Sequence, residues 1–253
     1  MSTHLAQIWR HPVKAHGRER IGMVTLETGH ALPWDRVWAV AHERSGFDPG
    51  QPAWTPPGHF SRGASVPTLQ QIECVTDPAL RTLTFFHPDR PTLTIDPNDD
   101  DQGRDFIAWV APISPGAKFP PSRLVRAPDT AMTDTDYPSI SLINLASHRA
   151  LEGRIGRPLS PLRWRGNLLI EGLAPWEEFD LVGRRLKLGA AELEVVEPIT
   201  RCRMTEANPE TGQRDADTLG TLRHGYGHQD FGVYARVTTG GPVTEGDTFE
   251  VLP

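Results

Sequence analysis

Residues 186–204 read LKLGAAELEVVEPITRCRM, and this stretch decides the interpretation of the chain. Between residues 186 and 196, apolar and polar residues alternate with the period of two that is typical of half-buried β-strands, and Gly189 breaks the run like a hairpin turn. Pro198 predicts that the strand ends there, because proline cannot donate a hydrogen bond to a neighbouring strand. We therefore expect Cys202 on a loop at the rim of a sheet, where binding sites are commonly built.

The thiol of Cys202 lies between two guanidinium groups in the sequence, those of Arg201 and Arg203. A positive field favours the thiolate, which is the form that binds metals and attacks electrophiles. The alternative is a small buried hydrophobic residue, as most free cysteines are. Cys74, in an alternating segment, is predicted to be such a core residue.

The composition limits the function classes. The net charge of -6 disfavours nucleic acid or an anionic membrane as a partner. Two cysteines cannot build a disulfide framework, a zinc ribbon or an iron–sulfur ligand set. Residues 1–15 do not resemble a secretory signal, and no apolar run approaches the roughly 20 residues that span a bilayer. We therefore expect a cytoplasmic protein without a membrane partner.

The chain is punctuated by 24 prolines and 23 glycines, which suits short strands and turns. The clearest helix is predicted around residues 145–155, with Asn144 as its cap and Gly156 as its stop, and a shorter one over residues 103–110. Together, the short strands, the turns and the few helices predict an α+β fold that is mainly β, a barrel with a few helices packed outside it. Predicted strands cover residues 5–13, 23–27, 36–42, 68–75, 83–87, 92–95, 165–170, 181–188, 192–196, 231–238 and 248–252.

A series of short motifs, taken in order, carries a family resemblance. The motifs are Pro12-Val13-Lys14, Asp35-Arg36-Val37-Trp38, Arg165-Gly166-Asn167, Leu188-Gly189 followed by Thr200-Arg201-Cys202, Asn208-Pro209-Glu210-Thr211-Gly212, Phe231-Gly232-Val233-Tyr234 and Gly246-Asp247. This order resembles the molybdenum cofactor sulfurase C-terminal (MOSC) domain preceded by its N-terminal β-barrel partner, a group that includes the amidoxime-reducing proteins. The resemblance implies a β-rich N-terminal MOSC domain in residues 1–125 and a MOSC-type β-barrel in residues 126–253.

The resemblance also implies a molybdenum–molybdopterin cofactor. An anionic phosphate attracts Lys and Arg, a planar pterin attracts amide and guanidinium donors, and molybdenum prefers a thiolate. Cys202 would be the catalytic metal ligand, and Arg201 would favour its thiolate and help to neutralise the dithiolene. The other cofactor-binding residues implied are Lys14, Arg36, Arg165, Asn167, Thr200 and Tyr234.

Each of these residues has an ordinary structural alternative. Lys14 and Arg36 could be solvated surface charges, and Asn167 could be a turn residue. Arg165 could pair with Glu171 or Glu178.

Two positions depart from the family pattern. Many relatives have Ser where this chain has Ala15, which removes one hydroxyl contact on the phosphate side. Relatives often have Pro where this chain has Gly166, which would loosen the turn that presents Asn167.

Two further segments suggest other roles. His224 and His228 lie four residues apart, as in a helical zinc pair, but the intervening glycines make a helix improbable. A mobile loop near a substrate entrance is predicted instead. Residues 132–138 are polar and are predicted to form a lid over the site, with a plain solvated loop as the alternative.

The implied activity is that of a molybdenum-dependent oxidoreductase that reduces small N-hydroxylated or otherwise oxygenated compounds. Because no haem, flavin or iron–sulfur ligand set is visible, the electrons would come from a separate protein. Two alternatives stay open. The chain could carry sulfur as a persulfide or deliver the cofactor without turnover, or it could be a barrel that has lost the cofactor and acts as a binding module.

Overall fold

The computed structural model describes residues 3–128 and 130–253, and its fold is α+β and mainly β, as predicted. The described residues contain the α-helices α1 (Asp100–Val110), α2 (Leu145–Ile155) and α3 (Thr218–Tyr226). The strands are β1 (His4–Arg10), β2 (Glu19–Ile21), β3 (Met23–Leu26), β4 (Trp38–His42), β5 (Glu73–Asp77), β6 (Thr82–His87), β7 (Arg90–Ile95), β8 (Pro121–Arg126), β9 (Ile140–Asn144), β10 (Leu168–Glu171), β11 (Arg185–Leu188), β12 (Ala191–Thr200), β13 (Asp230–Thr239), β14 (Gly241–Thr244) and β15 (Phe249–Val251).

An eight-stranded sheet forms the centre of the fold, in the order β15-β11-β12-β13-β9-β10-β1-β2. The β9–β10 pair is parallel and the other neighbours are antiparallel. The sheet curls until its edge strand β15 meets β1, since Leu5 N donates to Asp247 O at 2.9 Å and Phe249 N to Thr3 O at 3.0 Å. The first strands thus share a sheet with the C-terminal half, and the domain division at residue 125 stays a prediction.

Two large hydrophobic clusters form most of the core. One fills the curled sheet and includes Leu142, Leu193 and Val233. The other lies beneath the three-stranded sheet β5-β6-β7 and includes Phe85 and Phe106. Cys74 belongs to the second cluster and is buried, which confirms the prediction that it is a core residue. Burial also raises the pKa of the Cys74 thiol well above its ordinary value.

Helix α2 begins and ends as its sequence predicts. The side chain of Asn144 accepts a hydrogen bond from Ala146 N at 2.9 Å, which satisfies one of the free N–H groups of the first turn. Gly156 closes the helix in a left-handed conformation with φ 84°, which glycine adopts without steric cost.

The prediction that a strand ends at Pro198 is wrong, because β12 continues to Thr200. The pairing of β12 with β13 shifts register between Val195 and Glu197 and again between Pro198 and Thr200. Such bulges leave residues outside the regular ladder, so the missing N–H of proline is tolerated there.

The segment before β5 also differs from its predicted strand. Residues 68–75 were predicted to be extended throughout, but Pro67–Gln71 form a 3₁₀ helix and the strand begins at Glu73. Pro67 suits the first position of a helical turn, where its N–H is not needed.

The prediction of a loop around His224 is wrong as well, because α3 extends to Tyr226. Asp217 caps the helix by accepting from Gly220 N at 2.8 Å, and Leu219 and Leu222 bury its inner face. Gly225 is tolerated inside the last turn, and Gly227 ends the helix with φ 79°. Packing thus outweighs the weak helix propensity of glycine. None of the described helices has the length and apolar character needed to cross a membrane.

Candidate functional site

A single cavity of about 240 Å³ brings together all eight residues that the sequence singled out. The cavity lies where several strands end, so residues far apart in the chain meet there. Its walls also contain residues that the sequence analysis did not assign to the site. The lining residues are Lys14, Ala15, Arg36, Pro57, Arg62, Gly63, Ala64, Thr133, Asp134, Ser139, Ser141, Trp164, Arg165, Asn167, Thr200, Arg201, Cys202, Met204 and Tyr234.

Lys14 is buried in the cavity wall and is not a solvated surface charge. Its Nζ donates to Met132 O at 2.8 Å and forms an ion pair with Asp134. Burial lowers the pKa of Lys14, and the Asp134 carboxylate opposes part of that effect. Residues 132–138 therefore supply a counter-charge to the cavity, and the polar composition of this segment was the signal that pointed to it.

Arg36 is held by a buried carboxylate. Asp35 is fully buried, pairs with Arg36 and accepts a hydrogen bond from His11 N at 2.7 Å. Arg36 Nη2 also donates to Arg165 O at 2.8 Å. Although burial opposes the charge, Asp35 raises the pKa of Arg36. The ion pair of Arg36 with Asp35 is thus structural, and it also fixes one cation of the cavity.

Three residues of the cavity hold left-handed backbone conformations that non-glycine residues rarely adopt. Ala15 has φ 64°, Arg36 has φ 51° and Arg165 has φ 48°. Such conformations cost on the order of 1–3 kcal/mol each and persist where the surrounding structure fixes them, commonly at functional sites. Their concentration around one cavity is an independent sign that this is a binding site.

Arg165 and Arg201 are buried with unsatisfied donors. Arg165 Nη2 donates to Gly17 O at 3.0 Å, whereas its Nη1 has no partner among the described residues. Arg201 donates to Phe231 O at 2.7 Å and to Trp164 O at 3.0 Å, whereas its Nη2 likewise has none. Arg165 pairs with neither Glu171 nor Glu178. Glu171 pairs with Arg149, and Glu178 accepts hydrogen bonds from Asn144 and Ser147.

The burial of these guanidinium groups is energetically costly. Burial, with Arg36 and Arg18 nearby, lowers the pKa of Arg165 to about 9. Burial lowers the pKa of Arg201 to about 10. A buried charge with a free donor is stabilised when an anion accepts from it. The cavity lining contains five cationic residues and one carboxylate, so the site suits a multiply charged anion.

Asn167 is fixed by a buried network. Its Oδ1 accepts from Ser141 N at 3.1 Å and from Ser141 Oγ at 2.8 Å. Its Nδ2 donates to Trp9 O at 3.2 Å. These bonds connect the turn before β10 to β9 and β1. Asn167 therefore lines the cavity and also holds its wall together.

Gly166 packs directly against β9, and the close contact explains why a small residue stands there. A Cβ at this position would overlap Ile143 Cγ1. The carbonyl oxygen of Gly166 also lies 3.3 Å from His11 Nε2. The glycine therefore allows the turn to approach the sheet closely.

We expect Gly166→Ala to lower the free energy of unfolding by about 1–3 kcal/mol, because the added methyl group overpacks a site next to Ile143. Urea denaturation measures the change. Gly153→Ala in α2 is a matched control, since a Cβ there meets no atom within 4 Å, and we expect it to be neutral or stabilising. Equal losses in both variants would contradict the packing argument.

Cys202 follows the end of β12 and is exposed. Its carbonyl oxygen accepts from Thr205 N at 3.2 Å and from Thr205 Oγ1 at 3.1 Å, which starts the 3₁₀ helix Arg203–Glu206. Thr200, two residues earlier, donates its hydroxyl to Asp230 Oδ1 at 2.6 Å. The thiol therefore lies on the rim of the sheet, as predicted, and lines the cavity from a fixed backbone.

Tyr234 on β13 also lines the cavity. Burial and the nearby Asp134 carboxylate raise the pKa of Tyr234 to about 12. Its phenol oxygen therefore keeps its proton at neutral pH and can donate a hydrogen bond into the cavity.

The two histidines four residues apart do not form a metal site. His224 lies on the exposed side of α3, while His228 packs against Trp176, with ring centroids 5.3 Å apart. Across residues 3–128 and 130–253, no group of three or more His, Cys, Asp or Glu side chains could hold a metal ion.

Comparisons with known proteins place the C-terminal half in a family. The model of the MOSC domain matches residues 129–250. The molybdenum cofactor sulfurase of Anopheles gambiae is 34% identical over 124 residues, which cover 44% of this chain and 16% of the relative. The molybdenum cofactor sulfurase of Caenorhabditis elegans is 35% identical over 121 residues, which cover 46% of this chain and 17% of the relative.

A solved structure can also be superposed on the whole chain. The YuaD protein from Bacillus subtilis aligns with a TM-score of 0.49 and 14% sequence identity, covering 99% of this chain and 96% of that one. The chain spans only about a sixth of the length of the two sulfurases, as the 16% and 17% coverages state. Residues 129–250 of this protein are a MOSC domain.

Proposed function

We propose that the cavity binds a molybdenum cofactor and that the loaded protein reduces small N-hydroxylated or otherwise oxygenated compounds. The observation that carries the proposal is the position of the Cys202 thiol in the same cavity as two buried guanidinium groups with free donors. The names of the related sulfurases support a connection with this cofactor.

The residues present fit the chemical groups of such a cofactor. Its phosphate and pyranopterin need several cationic donors, which Lys14, Arg36 and Arg165 offer. Its metal needs a soft ligand, which the exposed Cys202 thiol can provide as a thiolate. The free Nη2 of Arg201 adds positive charge beside the dithiolene. When bound, the cofactor supplies oxygen-atom transfer coupled to a two-electron change of oxidation state.

The chain itself would supply binding, orientation and electrostatics. The buried cations fix the anionic groups, and the Tyr234 hydroxyl holds a proton that it can share in a hydrogen bond. Reduction of a hydroxylamine to an amine consumes two electrons and two protons and releases water. We propose that a separate electron-donor protein delivers these electrons.

Removal of the Cys202 thiol is expected to reduce the molybdenum content severely. The protein is produced in a host that makes the cofactor, and molybdenum per chain is measured for wild type, Cys202→Ala and Cys74→Ala. We expect near-stoichiometric metal in wild type and Cys74→Ala, because Cys74 is buried in the core. We expect at most about a tenth of that content in Cys202→Ala, since one metal–thiolate bond contributes well over the 1.4 kcal/mol that corresponds to a factor of ten.

Activity is then tested with an artificial reductant on hydroxylamines and amidoximes. Turnover by wild type and its absence in Cys202→Ala would support the proposed reductase. Loaded wild-type protein that leaves both substrate types unreduced would contradict it.

A second candidate function is favoured by the exposure of the Cys202 thiol and by the names of the related sulfurases. An exposed thiol can carry sulfur as a persulfide, and a protein that binds the cofactor can also deliver it. Persulfide on Cys202 without molybdenum would favour the sulfur carrier. Bound cofactor that moves to an apo-enzyme without turnover would favour the cofactor carrier.

A further inference from the structure

The cationic cavity ends at a rim that residues 57–64 of the N-terminal half supply together with Met204 of the C-terminal half. Arg62 lines this rim together with the uncharged residues Pro57, Ala64 and Met204. A Cβ at Gly63 would lie 2.8 Å from Met204 Cγ, so the segment packs tightly onto the C-terminal half. The packing therefore fixes the rim in place as part of the cavity wall.

Arg62 differs from the four inner cations of the cavity. Each inner cation donates to at least one carbonyl or carboxylate oxygen, whereas Arg62 is exposed and its guanidinium has no such partner within residues 3–128 and 130–253. An arginine without a partner at a cavity wall offers its planar pair of donors to a carboxylate that arrives from outside.

The surroundings of Arg62 reinforce this preference for an anion. Arg62 also borders a second hollow of about 220 Å³, whose wall includes the half-buried ring of Phe119. Arg44 and Lys118 lie 5.2 and 5.3 Å from the centroid of that ring. Neither cation has an acidic partner within 4 Å in the described part of the chain. The hollow on the other side of Arg62 is thus positive and partly apolar.

We propose that Arg62 binds a carboxylate of the substrate, so that the site selects small organic acids that carry the reducible oxygenated group. The apolar part of the substrate lies against Pro57, Ala64 and Met204, while its carboxylate pairs with Arg62. This proposal rests on the proposed function, because it names the substrate class of the same cavity. The four inner cations remain available for the cofactor.

The test compares two substrates that differ in one carboxylate, benzamidoxime and 4-carboxybenzamidoxime, on the molybdenum-loaded protein. We expect the wild-type KM to be about tenfold lower for the carboxylated compound, which corresponds to about 1.4 kcal/mol. Arg62→Gln should remove this difference by raising only the KM of the carboxylated compound, with kcat unchanged, because the ion pair is equally strong throughout the reaction. Arg62→Lys should retain part of it.

Arg20→Gln is the matched control, since Arg20 is an exposed arginine that already pairs with Glu245 at 2.9 Å and does not line the cavity. It should leave both KM values unchanged. Equal KM values for the two substrates in wild type and Arg62→Gln would overturn the inference and leave the proposed function standing. A loss of molybdenum from Arg62→Gln would overturn it too, by showing that Arg62 holds the cofactor. Failure of wild type to reduce either compound would overturn both proposals.

Discussion

Arg165→Met is expected to stabilise the cofactor-free protein by about 1–2 kcal/mol while abolishing its response to phosphate. The guanidinium of Arg165 is buried, has one donor without a partner and lies among other cations. Replacing a poorly compensated buried charge by an apolar side chain of similar length is often neutral or stabilising. The same replacement removes a donor that an anion in the cavity would need.

Two measurements test this prediction. The free energy of unfolding without added anion is obtained from urea denaturation, and thermal unfolding is followed as phosphate is added. Phosphate should raise the Tm of wild type, because a ligand of the native state stabilises it in proportion to its binding. The Arg165→Met variant should begin with the higher stability and show little further rise.

Arg163→Met is the matched control, because Arg163 is equally buried and also has one donor without a partner, its Nε, but its charge is compensated by a carboxylate. Its Nη1 donates to Thr205 O at 2.9 Å, and its Nη2 lies 3.2 Å from Asp215 Oδ1. Removing it leaves these groups without that partner, so we expect a loss of about 2 kcal/mol and an intact phosphate response. If Arg165→Met lost as much stability as Arg163→Met, Arg165 would be an ordinary structural residue.

The two substitutions are expected to change the free energy of unfolding in opposite directions, because the buried cations differ in how their charges are compensated. Lys14 and Arg36 each have a carboxylate partner, Asp134 and Asp35, whereas Arg165 and Arg201 rely on backbone carbonyl groups. The fold therefore holds an excess of positive charge at the ends of its strands. Such an arrangement is stable only because the large core of the sheet compensates for it, and it prepares the cavity for an anion.

The sequence predicted residues that lie together in one cavity, but it did not predict the contacts among them. The family motifs named eight residues that meet in one cavity, because short motifs at strand ends record which side chains face a site. The pairing of Lys14 with Asp134 spans 120 residues, and no local pattern specifies it. Arg62 lies in a proline- and glycine-rich segment without periodicity, so only the folded chain places it at the rim.

Strand β9 and helix α3 were not predicted from the sequence, and the physical reasons are similar. Strand β9 is buried along its whole length, so its residues do not alternate in the way that marks a half-buried strand. Helix α3 contains Gly220 and Gly225, whose weak helix propensity concealed a segment that is stabilised by its cap and by the burial of Leu222. In both cases tertiary packing outweighs the local signal.

Acid is expected to destabilise the protein through two buried histidines beside Lys14. His16 Nδ1 lies 2.7 Å from Lys14 O, so this nitrogen donates and Nε2, which has no partner, carries no proton. Likewise His11 Nε2 faces Gly166 O at 3.3 Å, and its Nδ1 has no partner. A second proton on either ring would create a buried positive charge that has no partner and is repelled by Arg165.

The direction of the pH effect follows from the pKa values. Burial lowers the pKa of His16 from 6.5 to about 4, and burial together with Arg165 lowers the pKa of His11 well below 6.5. Between pH 6.5 and 4 the unfolded chain therefore binds more protons than the native protein, and stability falls as the pH falls. We expect His16 alone to account for a loss of about 3 kcal/mol across this window.

His16→Asn tests this, because the amide can still donate to Lys14 O but does not titrate. Urea denaturation between pH 7 and pH 4.5 should show a shallower loss of stability in this variant than in wild type, whatever its stability at pH 7. Replacing the exposed His30 by asparagine should leave the wild-type slope unchanged. Parallel curves for wild type and His16→Asn would contradict a buried, neutral His16.

The ion pair of Asp134 with Lys14 does not account for the same slope in this window. Although burial opposes it, Lys14 lowers the pKa of Asp134 below 3.8, so the stability that this ion pair contributes is present above that pH and is lost only as the pH falls further. The histidine effect lies above pH 4 and the effect of Asp134 lies below it. Because the lowered pKa of His11 also makes the unfolded chain bind more protons than the native protein below pH 6.5, the double variant with His11→Asn should show a shallower loss still.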